Sequence, residues 1–334
     1  MELVTEYILE VEVVDKRHVD MKSNAMEKKA LEQALTRLKQ VLNVVEISTD
    51  ASTTIKKFLA DSFEDVFHSL DIWHKAKSIR KCILKVSNLR ANQKIAKWTD
   101  HIINHFWYIC SVSREGCSTD EEALDVLKTK WVGILHHVCN VHEWTGGKCD
   151  HDELNDTHTL PWFDRREKDF EALQEIILDP GLLESFKYYV RFRHTGGLEC
   201  ANSLSLVYTP KRCAYSFRAY KASKQLAAID WNFHVKRGQA RSKSGDKQLV
   251  TRKYNQRTKA WNAKIVKEEK SFGYIPMLMA RILHRRLVDT NTVTHHVSLS
   301  EDDPARIAPT IAQAPPVSST ELFAARETKT RFSK

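Results

Sequence analysis

Residues 7–15, YILEVEVVD, alternate apolar and polar positions and are rich in β-branched side chains, a pattern that predicts a strand. Over 23–42 the apolar residues Leu31, Ala34, Leu35, Leu38, Val41 and Leu42 recur at helical spacing, with Asn24 and Glu27 placed as a capping box. The run NVVEIST predicts a second strand ending at Asp50, STTIKKFLADSF a helix, and DVFHSL a third strand ending at Asp71. Strands and helices that alternate in this way predict an α/β unit.

From about residue 75 the period changes. QKIAKWTDHIINHFWYICSV and DEEALDVLKTKWVGILHHVCNVH read as long helices, the second entered through Ser118 or Thr119. FEALQEIIL and LLESFKYYV follow around the breaker DPG, and two further helices are predicted at LECANSLSLVY and SFRAYKASKQLAAIDW. Residues 234–270 hold twelve Lys or Arg against three acids, interleaved with Tyr254 and Trp261. Beyond about 290 the Ser/Thr/Pro/Ala-rich sequence reads as a disordered tail.

Charge and cysteine usage narrow the classes. Lys plus Arg exceed Asp plus Glu by 52 to 43, a formal net charge of +9, which favours an anionic partner where the charge is clustered. No apolar run approaches the ~20 residues of a membrane-spanning helix, so no membrane partner is expected. Seven cysteines, mixed with histidines between Cys82 and Cys213, fit reduced thiols or a metal site better than a disulfide framework. A nuclear or cytosolic location follows.

Two chemistries are written into these elements. Asp50 and Asp71, each at a strand end, are the type of carboxylate that holds hard divalent cations against a phosphate, because such cations take oxygen ligands. Both also have a plainer reading as N-caps of the helices that follow. In HHVCNVHEWTGGKCDHD, the residues Cys139, His142, Cys149 and His151 have ligand types and a spacing that could close a tetrahedral structural zinc site between the insertion helices. His136, His137 and His158 are alternative ligands or helix caps. Trp98, Phe106, Trp107, Trp131 and Trp144 read as core of the helical block rather than as a base-stacking surface.

The ordered blocks EVEVVDKRHVDMKSNAMEKKALEQAL, STDASTTI, HSLDIWHKAKSIRK, ILHHVCNVHEW and HTGGLECANSLSLVYTPKRCAYSFRAYKASKQLAAIDWN resemble Kolobok-type cut-and-paste DNA transposases and their domesticated relatives, over roughly residues 1–233. The resemblance implies an α/β, N-terminally truncated RNase-H-like fold interrupted by a large helical insertion. On that plan 1–75 is a partial RNase-H-like unit, 76–190 the insertion, 191–233 the return to the unit, 234–290 a basic segment and 291–334 the tail.

It also implies a divalent-metal DNA-cleaving site for Mg2+ or Mn2+, in which Asp50 matches the family's second catalytic acid and Glu199 its third. Asp71 and His74 of the DIWH block, and Asn202 one turn after Glu199, would support them. The family's first acid lies on a strand that would precede Met1, so the catalytic set is expected to be incomplete and strand transfer absent. Lys211 and Arg212 of the TPKR block, with Lys236, Arg237, Arg252 and Lys253 of the basic run, are expected to contact DNA. A nuclear DNA-binding protein able to form homo-oligomers is the expected partner profile. A non-catalytic nucleic-acid-binding or interaction module is the alternative.

Overall fold

The computed structural model describes residues 1–152, 160–242, 244–245, 247–256, 260–288, 299–312, 314 and 317–327. In chain order the elements are α1 (Ser23–Val41), β1 (Glu46–Thr49), α2 (Thr53–Ser62), β2 (Phe67–Leu70), α3 (Ile72–Ser87), α4 (Gln93–Val112), α5 (Asp120–His137), β3 (Glu143–Trp144) and β4 (Gly147–Lys148). They continue as α6 (Lys168–Ile177), α7 (Pro180–Ser185), α8 (Gly196–Tyr208), α9 (Phe217–His234), β5 (Val250–Asn255), β6 (Ala260–Ile265), α10 (Tyr274–Val288) and α11 (Ser319–Glu327). The chain is therefore mixed α/β and mainly helical, with three two-stranded sheets among the described residues. No described helix is long and apolar enough to cross a membrane, and all seven cysteines are free thiols.

Two compact units divide the chain. One comprises residues 41–199, and the other residues 1–40 together with 200–334.

The 41–199 unit is built on a stripe of large apolar residues. In α3 the buried positions Ile72, Ala76, Ile79 and Ile83 fall three or four apart, and α4 buries Ile95, Trp98, Ile102, Phe106 and Ile109 with the same period. Trp131 of α5 is also fully buried. Each buried indole needs a partner for its N–H. Trp98 Nε1 donates to the Pro161 carbonyl at 2.9 Å, and Trp131 Nε1 to the Ile177 carbonyl at 2.9 Å. Fixing these bulky rings stabilises the helical cluster by about 1.5–3 kcal/mol per side chain in apolar burial.

Beside this cluster, β1 and β2 pair in parallel, Glu46 opposite Phe67 through Thr49 opposite Leu70, with α2 as the crossover. Ser52 caps α2 and Thr119 caps α5 in a capping box with Glu122.

In the other unit the predicted strand over residues 7–15 is a segment without regular secondary structure or a β-ladder. Its hydrogen bonds go instead to α9. The Asn232 amide accepts from Ile8 N at 2.8 Å and donates to Ile8 O at 2.9 Å, and Trp231 Nε1 donates to Glu6 O at 2.7 Å. One side-chain amide thus replaces the pair of bonds a neighbouring strand would supply. The alternating pattern predicts a strand that the structure does not form, because a strand also needs a partner, which the pattern does not supply.

Helix α1 begins at Ser23, so Asn24 lies inside it and is not its N-cap. The basic run, expected only as a charged segment, holds an antiparallel hairpin, β5 to β6, with Tyr254 opposite Trp261. Part of the expected disordered tail is ordered: a 3-10 turn at Pro304–Arg306 capped by Asp303, and α11. Residues 291–298, 313, 315–316 and 328–334 of that tail lie outside the described residues.

Candidate functional site: an acidic corner at the ends of two parallel strands

Parallel strands place their carboxyl ends on the same edge of a sheet, where loops can carry side chains toward one point. Asp50 directly follows β1 and Asp71 directly follows β2. Asp71 is 3 % exposed, whereas Asp50 is 59 % exposed. His74, in the first turn of α3, joins them: its Nδ1 lies 3.2 Å from Asp50 Oδ1 and 3.4 Å from Asp71 Oδ2. Neither approach has the direction of a hydrogen bond, so the ring nitrogen sits between two carboxylates by proximity alone. One ligand atom from each residue falls within 4.8 Å of the others, a spacing at which a single cation could be shared.

The two acids are not equivalent. Asp71 Oδ1 accepts from Trp73 N at 2.6 Å and His74 N at 3.3 Å, which makes it the N-cap of α3. Its Oδ2 accepts from Thr195 N at 3.0 Å and from the Thr195 hydroxyl. Burial would raise the Asp71 carboxyl, but these donors outweigh it and hold the group below the usual aspartate value. Both oxygens are therefore occupied, and Asp71 braces the start of α3 against Thr195. The plainer reading of Asp71 as a cap is correct for this residue. Asp50 keeps an open carboxylate; the helix after it is capped by Ser52 instead.

Thr195 links this corner to the third acid. It immediately precedes α8, and Glu199 N donates to Thr195 O at 3.0 Å in the first turn of that helix. Ile72 N also donates to Arg193 O at 3.1 Å, which fixes the incoming chain against the start of α3. Glu199 is exposed one turn from the Asp71 anchor, but it is outside the Asp50–Asp71–His74 cluster. Asn202 follows on the same helix and is exposed.

A half-buried ion network holds that segment in place. Glu46, at the start of β1, pairs with Arg193 Nε at 2.9 Å and Arg191 Nη1 at 3.3 Å, and accepts from Ser69 Oγ at 2.5 Å. Arg191 also reaches Asp120 at 2.6 Å. Burial pushes the Glu46 carboxyl up, yet the Arg193 and Ser69 hydrogen bonds and the two guanidinium charges bring it below the ordinary glutamate value. Glu46, Arg191, Arg193 and Thr195 were not anticipated from the sequence. No local pattern in RFRHT foretells the pairing: Arg191 lies in a turn and Phe192 takes the left-handed region at φ 49°, so no strand alternation sets where the two arginines point.

The zinc quartet is rearranged. His142, Cys149 and His151 come together, but the fourth member is His137 and not Cys139. Helix α5 ends at His137, and Asn140 adopts the left-handed conformation at φ 58°, which reverses the chain so that His142 returns toward the last helical turn. Cys139 is half-buried and packs against the apolar core instead. Burial, opposed by the Arg165 guanidinium, raises its thiol. The predicted helix runs on through Cys139, but α5 stops at His137, and Cys139 is not in the group; Asn140, a residue that tolerates the left-handed region, is the stop signal. His136 stacks on Trp144 with ring centres 4.8 Å apart and contacts Arg165 at 2.9 Å. His158 lies outside the described residues.

The expected DNA contacts separate into two kinds. Lys211 and Arg212 occupy an exposed turn after α8, and Arg252 and Lys253 are exposed on β5. Alternation puts Arg252, Tyr254 and Trp261 on one face of the hairpin, with the two rings 5.4 Å apart, and Lys253 on the other. Lys236 and Arg237 are engaged with backbone: Lys236 Nζ reaches Val4 O at 3.5 Å, and Arg237 Nη1 donates to Glu268 O at 2.5 Å.

No protein-family profile, curated protein or solved structure matches the chain.

Proposed function

We propose that the protein derives from a DNA transposase, that its 41–199 unit carries the remnant of an RNase-H-like nuclease frame, and that it acts on DNA. The observation that carries this reading is the corner itself: two parallel strands deliver Asp50 and Asp71 at their carboxyl ends, and Thr195 ties the start of the Glu199 helix to Asp71. A phosphoryl-transfer site draws its acids from separate elements in this way, and Asp50 supplies the open carboxylate here.

The donor set suits Mg2+ or Mn2+ only in part. Asp50 offers one open carboxylate, Asp71 is saturated by four donors, and His74 contributes nitrogen, which a hard cation takes less readily than oxygen. The residues therefore fit one dication resting on Asp50, where it would neutralise charge on a phosphate oxygen. Two-metal strand transfer needs more oxygen ligands than the corner supplies.

Nicking of supercoiled plasmid in Mn2+ by the full chain, by Asp50→Asn and by Glu199→Gln tests this. Nicking that both substitutions abolish supports an active remnant; equal rates for all three would remove the catalytic part of the proposal.

A second reading rests on a separate observation, the solvent-exposed cationic and aromatic hairpin β5–β6. Lys and Arg would neutralise phosphates, with Tyr254 and Trp261 available to stack on unpaired bases. In this reading the protein binds nucleic acid in the nucleus without cutting it. Arg252→Glu with Lys253→Glu should then weaken DNA binding and flatten its salt dependence by about 2 in the log–log slope. Binding that is unchanged by the double substitution sinks the reading.

A further inference from the structure

We infer that His137, His142, Cys149 and His151 form a structural Zn2+ site that fastens the β3–β4 hairpin to the end of α5. The first support is how the ligands arrive. His137 closes α5, Asn140 turns the chain, and His142 enters β3. A two-residue turn with Gly146 at φ 98° folds β4 back, and Cys149 N donates to His142 O at 2.9 Å, so the two residues face each other across the hairpin. His151 follows two residues later. The spacing is H-x4-H-x6-C-x-H.

Distances supply the second support. Zinc bonds nitrogen at about 2.0–2.1 Å and thiolate at about 2.3 Å, so a tetrahedral site has N to N edges of roughly 3.3 Å and N to S edges of roughly 3.5 Å. His137 Nδ1 lies 3.2 Å from His151 Nε2 and 3.5 Å from Cys149 Sγ. All four ligand atoms fall within 4.8 Å of one another.

The surroundings orient the rings as a metal site requires. His151 Nδ1 lies 2.6 Å from the Asp152 carbonyl, which makes Nδ1 the protonated nitrogen and leaves Nε2 facing the cluster. His142 Nε2 lies 3.1 Å from Asn140 Oδ1, the donor arrangement that turns its other nitrogen inward. Trp98 and Trp162 close the apolar side, with ring centres 5.7 and 6.1 Å from that of His137. A cavity whose wall includes His137, Cys149 and His151 adjoins the cluster and gives an ion a way in.

Three imidazoles and one thiolate select a borderline cation and not Mg2+ or Ca2+, and four protein ligands leave no open position. The site is therefore structural. It also answers a stability question, because strands of two residues do not hold a hairpin by themselves. Trp144 contributes by lying over Gly133, where even a methyl group would come within 2.8 Å of the indole. The metal supplies the second fastening.

The test is zinc content of the purified full chain by mass spectrometry, with Cys149→Ser, His137→Ala and Cys139→Ser. About one zinc per chain is expected in the wild type and in Cys139→Ser, with a loss of tenfold or more in the other two. Less than about a tenth of an equivalent in the wild type overturns the site, as does equal loss in Cys139→Ser and Cys149→Ser. Because the losing variants could also misfold, His151→Cys is included. It should retain zinc, and its Co2+ form should show a stronger thiolate charge-transfer band than the wild type; a Co2+ spectrum without any thiolate band in the wild type also overturns the assignment.

Discussion

The 41–199 unit buries Trp98 and Trp131 completely, whereas the sheet β5–β6 of the other unit is almost wholly in solvent. The buried positions differ in kind as well. In the first they are mostly aliphatic and aromatic; in the second they include Asp230 and His234, 2.6 Å apart, with Lys270 3.0 Å from the same aspartate. Packing holds one unit, and hydrogen-bonded polar groups hold much of the other. Precise chemistry is better placed in the first: the acidic corner is braced by an apolar core and a half-buried ion network, while the basic hairpin offers only a surface.

Truncating one aromatic in each unit should separate the two most strongly. Trp131→Ala should cost about 3–5 kcal/mol, because it removes a fully buried ring and strands the Ile177 carbonyl. Trp261→Ala, 67 % exposed, should stay within about 0.5 kcal/mol. Urea unfolding of both variants measures it, and similar losses would show that the contrast is wrong.

The second experiment sharpens the comparison inside the 41–199 unit. Asp71→Ala leaves the N–H groups of Trp73, His74 and Thr195 without their acceptor and should cost about 2–3 kcal/mol. Asp50→Ala removes an exposed acid that caps no helix and should change stability by less than about 0.5 kcal/mol. If Asp50→Ala proves as destabilising as Asp71→Ala, the assignment of Asp71 as brace and Asp50 as open ligand fails.

These contrasts explain what could be read in the sequence. The strand ends at Asp50 and Asp71, the helix between them and the Thr119 cap follow from local pattern, and all are found. The buried aromatic helices are also as expected for Trp98, Phe106 and Trp131. What local pattern lacks is pairing. YILEVEVVD has the alternation of a strand but is held by the Asn232 side chain, a contact 224 residues away in sequence. Glu46 gives no local hint that Arg191 and Arg193 will close on it. His137 replaces Cys139 because a single left-handed residue, Asn140, decides where α5 stops.

The third prediction tests that long-range clasp. Asn232→Ala should cost about 1 kcal/mol and raise the rate of limited proteolysis within residues 1–15, since both bonds to Ile8 are lost. Proteolysis unchanged from wild type would show that other contacts hold the segment.

The smallest expected effect is a pH dependence confined to the strand pair. His68 of β2 lies against Thr49 Oγ1 at 2.8 Å and 5.8 Å from the Tyr188 ring. Burial, with a smaller contribution from the Lys56 charge, lowers its pKa from the ordinary 6.5 to about 4. Between these values the unfolded chain binds a proton that the native ring refuses, so the histidine's contribution is fully present above pH 6.5 and is lost as pH falls toward 4. The ring remains partly solvated, which reduces the effect to about 1 kcal/mol. Urea midpoints measured from pH 7 to pH 4.5 should fall more steeply for the wild type than for His68→Asn, whose side chain does not titrate. Parallel curves would mean that the strand pair opens before His68 charges, and the corner built on its ends would then be less rigid than the core beside it.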